Sequence, residues 1–333
     1  MSLLYIDEPG TKLGVREHRF RVEYRDDAIR EIPMESVDSI TILGNTQLTT
    51  QCMQECMKRG IAVSFFSKGG RYFGRLQSTG HVNTERQRLQ CRLYDSPFSL
   101  NLAKIITRGK IHNQKIVLRR YAKSREIDVE KMVIAMERCS DKIKDAVSIT
   151  DIMGFEGYAA KTYFQGISSV IDKQFSFTGR NRQPPRDEFN SLLSLGYSVI
   201  MNVMYSSIES KGLNPYFGFL HQDKEKHPTL ASDLIEEWRA VLVDSTALSL
   251  INGHEIMKDH FYFDEESGAC LLTKEGIRIF LSKLENKLQV KTKYLPQTTF
   301  PVSFRQGIIL QIDLLIHAMQ EGDSDIYKPV EIR

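Results

Sequence analysis

Cysteine is scarce and unpatterned in this 333-residue chain. Cys52, Cys56, Cys91, Cys139 and Cys270 make an odd five, with no C-x-x-C spacing. That excludes a disulfide framework and a zinc ribbon, and it points to free thiols in a reducing cytoplasm. An excess of charge of either sign is also missing: 45 Lys and Arg against 42 Asp and Glu leave +3, which by itself names no partner. The first residues, MSLLYIDEPG, reach Asp7 and Glu8 before any basic or apolar segment of signal-peptide length, so no secretory signal is expected. One uncharged stretch, residues 189–208, has bilayer-spanning length, yet Asn190, Ser191, Ser194, Ser198, Asn202, Ser206 and Ser207 interrupt it. It reads as a buried helix with a polar stripe, without membrane association. Internal repeats and low-complexity tracts are absent too. The 41% hydrophobic content supplies a real core and excludes a disordered chain.

The length suggests about two domains, and the texture changes near residue 95. Residues 3–6, 19–24, 28–32, 39–43, 61–66 and 71–76 alternate as short strands, separated by turn signals such as Glu8-Pro9-Gly10 and Gly44-Asn45. Residues 48–59 have helical spacing and stop at Gly60. From Pro97 the period becomes helical, with helices predicted over 100–122, 129–146, 149–171, 188–209, 231–250, 274–288 and 305–320. The fold class predicted is α+β: a small N-terminal β-rich domain followed by a larger all-α domain. Residues 77–96, rich in Gln, Arg and Thr, read as the linker, which places the domains at 1–95 and 96–333. The acidic tail from Glu321 reads as loose.

Charge is distributed unevenly. Residues 101–125 carry Lys104, Arg108, Lys110, Lys115, Arg119, Arg120, Lys123 and Arg125 without one acid. On a helix Lys104, Arg108, Lys115 and Arg119 share a face. A second acid-free patch, residues 173–186, holds Arg180, Arg182 and Arg186. Phosphate backbones bind such stripes. A solvated helix face and a basic loop explain either stripe alone; two stripes in an otherwise neutral protein raise nucleic acid to an equal contender.

Three stretches carry carboxylates or histidine. Glu156 lies in a helix beside Gly157, Ala159 and Ala160, small neighbours that let another helix approach, so a semi-buried and partnered carboxylate is expected. A glutamate helped by the helix dipole is the plain alternative. His221 ends the turn-rich segment from Leu213 through Pro215 and Gly218, and a histidine beside apolar residues is more often a satisfied core residue than a ligand. In Asp233-Leu234-Ile235-Glu236-Glu237-Trp238-Arg239 the wheel sets Leu230, Leu234, Trp238, Val241 and Leu242 opposite Asp233, Glu237 and Asp244, with Glu236 at the edge. Asp233 and Glu236, three apart, can address one point, although a solvated face fits as well. Together, carboxylates and one imidazole suit Mn²⁺ or Mg²⁺, and beside phosphate-binding stripes the chemistry in need of such a site is phosphodiester transfer.

At these residues the chain strongly resembles the CRISPR-associated adaptation integrase/endonuclease family, Cas-one. The resemblance runs from Leu4-Tyr5-Ile6-x-Glu8-Pro9-Gly10 through the last long helix. It is most specific at Glu156-Gly157-x-Ala159-Ala160, at Arg182-x-Pro184-Pro185-x-Asp187-x-x-Asn190-x-Leu192-Leu193-Ser194, at Pro215-x-x-Gly218-Phe219-Leu220-His221 and at Asp233-Leu234-x-Glu236-x-Trp238-Arg239. The resemblance implies that Glu156, His221 and Glu236 bind the metal and that Asp233 is needed for activity. Glu236 stands where some members have Asp. Arg239 corresponds to a DNA contact, and Lys104, Arg108, Lys115, Arg119, Lys161, Arg180, Arg182 and Arg186 are the further expected DNA-binding residues. Also implied are a dimerising N-terminal domain, a helical catalytic domain, and a heterohexamer in which a small partner, Cas-two, bridges two homodimers.

The implied reaction is integration into the CRISPR array. The 3′-hydroxyl of a short foreign double-stranded DNA fragment attacks a phosphodiester at a repeat border, so no Ser, Cys or Tyr nucleophile is expected. His221 would ligate as a neutral imidazole, and activity should fall as pH drops through its titration. Two alternatives stay open at this level: a metal-dependent nuclease or branched-DNA resolvase that uses water, and a non-catalytic DNA-binding regulator.

Overall fold

The computed structural model describes residues 2–333 except 71, 77, 79, 81, 182, 183, 296 and 297, and it divides into two compact units, Met1–Val82 and Asn83–Arg333. In the first, β1 (Ser2–Ile6), β5 (Val37–Leu43), β7 (Ala62–Phe66) and β8 (Tyr72–Leu76) form one sheet in the order β1-β5-β7-β8, parallel except for the last pair. The second sheet has the order β4-β3-β2-β6, built from β2 (Lys12–Arg16), β3 (Arg19–Glu23), β4 (Ile29–Pro33) and β6 (Gln47–Leu48). Helix α1 (Thr50–Arg59) starts where the Thr49 hydroxyl accepts the Cys52 N–H and stops at Gly60, the stop its sequence indicated. Leu13, Phe20, Ile40, Ile42, Cys52, Cys56 and Val63 close the core of this unit. Strand β2 is absent from the pattern reading because Gly14 and two flanking basic residues blur its alternation.

The second unit is helical. It contains α2 (Thr84–Leu93), α3 (Pro97–Ser124), α4 (Glu130–Lys144), α5 (Ile149–Val170), α6 (Glu188–Ser210) and α7 (Thr229–Trp238). A π-helical segment, Arg239–Asp244, then leads into α8 (Ser245–Asn252), followed by α9 (Lys274–Gln289) and α10 (Phe304–Glu321). Two short ribbons interrupt the helices: β9 (Phe261–Phe263) with β10 (Cys270–Leu272), and β11 (Lys291–Thr292) with β12 (Val302–Ser303). Each is too short to carry a periodic signal. Side-chain caps start the long elements: Ser148 and Asp151 form a reciprocal box on α5, Asp187 accepts the Asn190 N–H on α6, and Ser303 with Gln306 caps α10. Helix α6 is long and apolar enough to cross a membrane by length and composition. It lies instead in the protein body, where Phe189, Leu192, Leu193, Ile200, Met204 and Ile208 are buried.

Two segments differ from the sequence reading. The stretch read as a linker contains α2, capped by Asn83 and anchored by a fully buried Gln90. Gln90 bonds across to residues 214 and 217, while Thr84, Glu85, Arg88 and Arg92 stay exposed and give the segment its polar, linker-like composition. The tail read as loose is docked. Tyr327, Val330 and Ile332 are buried, and the tail's acids at 321, 323 and 325 lie before the apolar anchors that hold it.

Candidate active site

Helix α7 positions the site and is buried along its whole length, from Thr229 to Trp238, so the solvated-face reading of its acids fails. The acids go to different destinations. Asp233 turns toward the loop before the helix, where its Oδ2 accepts the backbone N–H of Phe219 at 2.6 Å and of Leu220 at 3.0 Å. Its Oδ1 accepts the His221 N–H at 3.0 Å and lies 2.7 Å from His221 Nδ1. A methyl group at Gly218 would sit 2.7 Å from Asp233 Oδ2, so only glycine lets the loop close over this carboxylate. Gln90 of α2 holds the same loop at Asn214 and Phe217, and the Ser99 hydroxyl of α3 donates to the Phe219 carbonyl at 3.1 Å.

With Nδ1 engaged by Asp233, the other ring nitrogen of His221 faces the site, 3.8 Å from Glu236 Oε1. Burial pulls the imidazole pKa down, but the Asp233 hydrogen bond and charge, with Glu236, outweigh it and leave it raised. Glu156 enters from α5. Between the two glutamates lies Lys110 of α3, which is buried. Its ammonium donates to Glu156 Oε1 and stands 2.6 Å from Glu236 Oε2. Glu236 Oε2 is buried, and the Lys110 ammonium is its charged partner. Arg239, the first residue of the π segment, reaches Glu236 Oε1 at 3.3 Å and lies over the Tyr197 ring at 5.1 Å. Burial opposes ionisation of Glu236, yet Arg239, Lys110 and His221 hold its pKa at about 2.

The structure thus brings Glu156, His221, Asp233, Glu236 and Arg239 together, as the sequence indicates, and adds Lys110, whose only sequence signal was membership in a basic stripe. No three His, Cys, Asp or Glu side chains among the described residues close on one point as a metal cluster; the ammonium stands where Glu156 and Glu236 converge. The donor set nevertheless fits a divalent cation. Two carboxylates already converge on a positive charge, and an imidazole nitrogen is aimed by a carboxylate on its far side, the usual support of a ligating histidine. Asp233 is that carboxylate, its oxygens already engaged by the loop N–H groups and His221.

The neighbouring acids serve the frame. Glu237, next to Glu236, accepts from Tyr327 Oη at 2.7 Å, Gln311 Nε2 at 3.2 Å and the Val330 N–H at 2.8 Å, which docks the C-terminal segment. Asp244 accepts from Tyr163 of α5 at 2.9 Å and Tyr197 of α6 at 2.5 Å. Arg239 and Asp244, at the two ends of the π segment, both contact Tyr197; such wide turns are frequent at functional sites.

The expected DNA-binding residues separate into two groups. On α3, Lys104 donates to the Lys144 carbonyl, Lys115 pairs with Glu137 at 3.0 Å and Arg119 with Glu130, while Arg108 lies near enough to Asp141 to lower its pKa, after Lys144. That face therefore meets α4. Arg180 bonds Asn190 at 2.8 Å and Ser194 at 3.2 Å and lies over Tyr197. Lys161 and Arg186 are exposed, and Arg182 lies outside the described residues.

Residues 4–286 match the family described as CRISPR associated protein Cas1. The chain is 32% identical over its full length to the CRISPR-associated endonuclease Cas1 of Mycobacterium tuberculosis (strain CDC 1551 / Oshkosh), covering 98% of that protein. It is 31% identical to CRISPR-associated endonuclease Cas1 3 of Thermus thermophilus, over 99% of this chain and 95% of the relative. Among solved structures it superposes on a Cas1 protein from Thermotoga maritima with a TM-score of 0.83 at 24% identity, covering 97% of this chain and 98% of that one. A casposase bound to integration product gives 0.87 at 24% identity, covering 100% and 95%. With two units, the buried carboxylate and histidine constellation, and this match along its length, the chain belongs to the Cas1 family of CRISPR-associated proteins.

Proposed function

We propose that this chain is the integrase of CRISPR adaptation, joining the 3′-hydroxyl of a short DNA fragment to a repeat-border phosphodiester with Mn²⁺ or Mg²⁺ at Glu156, His221 and Glu236. The observation that carries the reading is the convergence of Glu156 and Glu236 on one cationic point, with His221 fixed beside it by Asp233. A bound divalent ion would supply polarisation of a non-bridging phosphate oxygen and stabilisation of the leaving oxygen. The chain's own residues do the rest. Asp233 fixes the tautomer and direction of His221, the buried helices keep bulk water from the carboxylates, and Arg239 adds positive charge beside the site for a DNA phosphate. Lys161 and Arg186, both exposed, would meet the rest of the backbone.

A Cas2 partner is supported by a Cas6-RT-Cas1–Cas2 complex that matches this chain with a TM-score of 0.84 at 25% identity; the match covers 100% of this chain and 36% of that one. The homodimer is assigned to the N-terminal unit, whose two sheet edges carry exposed apolar side chains, Ile29 on β4 and Phe73 on β8, and two such dimers bridged by Cas2 give the heterohexamer. The free thiols suit a cytoplasmic setting. A nuclease that uses water is the second reading, favoured by the name endonuclease on the relatives. A duplex with free 3′-hydroxyls and a supercoiled repeat-bearing plasmid separates the two: joined product with either metal supports integration, and nicked plasmid alone supports hydrolysis.

A further inference from the structure

A lysine inside a pair of glutamates is an unusual neighbour for a divalent cation. Lys110 is 7% exposed, its stem packed within α3's buried face, and its ammonium touches both Glu156 and Glu236. Lys110 and Arg239 offset the charges of Glu156 and Glu236 without a metal, while the Asp233 carboxylate is hydrogen-bonded by three backbone N–H groups and His221. A divalent ion would need the same lone pairs. Carboxylate oxygens approach Mg²⁺ at about 2.0–2.1 Å, and an ammonium held against both carboxylates leaves no room for that approach. Lysine, unlike arginine, is a point charge on a flexible four-carbon stem, so it can withdraw.

We infer that Lys110 is the resident counterion of this site: it keeps the two buried glutamates convergent in the metal-free protein and is displaced from them when a divalent cation binds. The inference rests on the metal assignment above and deepens it. It makes Lys110 a competitor for the ion: the ammonium neutralises the two carboxylates until the ion arrives and sets a threshold for its entry. Two buried carboxylates facing each other without a cation would repel or take up a proton, and the lysine prevents both.

The test uses Mn²⁺ alone as probe. Wild-type protein is titrated with Mn²⁺ and binding is followed by the loss of the free-ion EPR signal. In parallel, lysines are reductively methylated with and without saturating Mn²⁺ and Lys110 is read by mass spectrometry. Lys110 should be protected in the free protein and modified about tenfold faster with the ion, with exposed Lys161 as unchanged reference. Lys110→Met should bind Mn²⁺ about tenfold more tightly, since a competing unit charge is gone, and should gain more in Tm from Mn²⁺ than wild type does. If wild type takes up Mn²⁺ while Lys110 stays equally protected, or if Lys110→Met binds no more tightly, the counterion role is overturned and the metal site stands. Failure of wild type to bind Mn²⁺ overturns both. Should Lys110→Met not fold, the methylation of wild type decides alone.

Discussion

Asp233 shows how much one carboxylate can organise. It accepts four donors from a single loop, so Asp233→Asn turns part of that acceptor set into a donor facing donors. The expected loss is about 2–3 kcal/mol of stability, read by denaturant titration, and about 10–100-fold of Mn²⁺ affinity or joining rate, as befits a group that aims a ligand. By contrast, Glu156→Ala, His221→Ala and Glu236→Ala should abolish joining with a native circular-dichroism spectrum; retention of strand transfer in Mg²⁺ or Mn²⁺ by any of them would count against the assignment. Asp244 gives a pH signature. Burial raises its carboxyl to about 6, against the opposing pull of Tyr197, Tyr163, Arg239 and Arg180. A folded-state pKa above the unfolded value of about 3.9 contributes stability that is present below that value and lost as pH rises through about 6. The Tm of Asp244→Asn should therefore gain on wild type between about pH 4 and pH 7, with no such trend outside that window.

Elements decide which of the predicted stripes are surfaces. Helix α3 reads from sequence as a basic face for phosphate, but α4 brings Glu130, Glu137 and the Lys144 carbonyl against it. Replacing Lys115 or Arg119 by Ala should leave the salt dependence of DNA binding unchanged, whereas Lys161→Ala or Arg186→Ala should each reduce the slope by about one unit in a log–log titration. The pairing was not legible because Glu130 and Glu137 belong to a helix pattern of their own, and only antiparallel packing sets them opposite Lys115 and Arg119. The docked C-terminal segment is another tertiary fact. Tyr327→Phe removes one of the donors to buried Glu237 and should cost about 1–2 kcal/mol in thermal unfolding. The 231–250 stretch reads as one helix because its apolar spacing is continuous; the π turn at Arg239–Asp244, whose ends contact Glu236 and Tyr197, is not encoded in that spacing.

At the scale of the whole molecule, the first unit closes its own core around Phe20, Ile40 and Val63, and the second around helices α3 to α10. Residues 83–333 made alone should therefore keep a helical circular-dichroism spectrum and unfold cooperatively. The sequence by itself determined the two textures, the long helices, the Gly60 stop, the four motifs and the acids and histidine of the site, because periodicity and turn chemistry are local. Tertiary structure alone decided that Asp233 holds the loop and His221 while Glu236 meets Lys110 and Arg239, that Glu237 and Asp244 belong to the frame, and that Lys110 stands between Glu156 and Glu236. Those roles depend on which side chains distant parts of the chain bring within a few ångströms, and on the burial that makes each unpaired charge there costly.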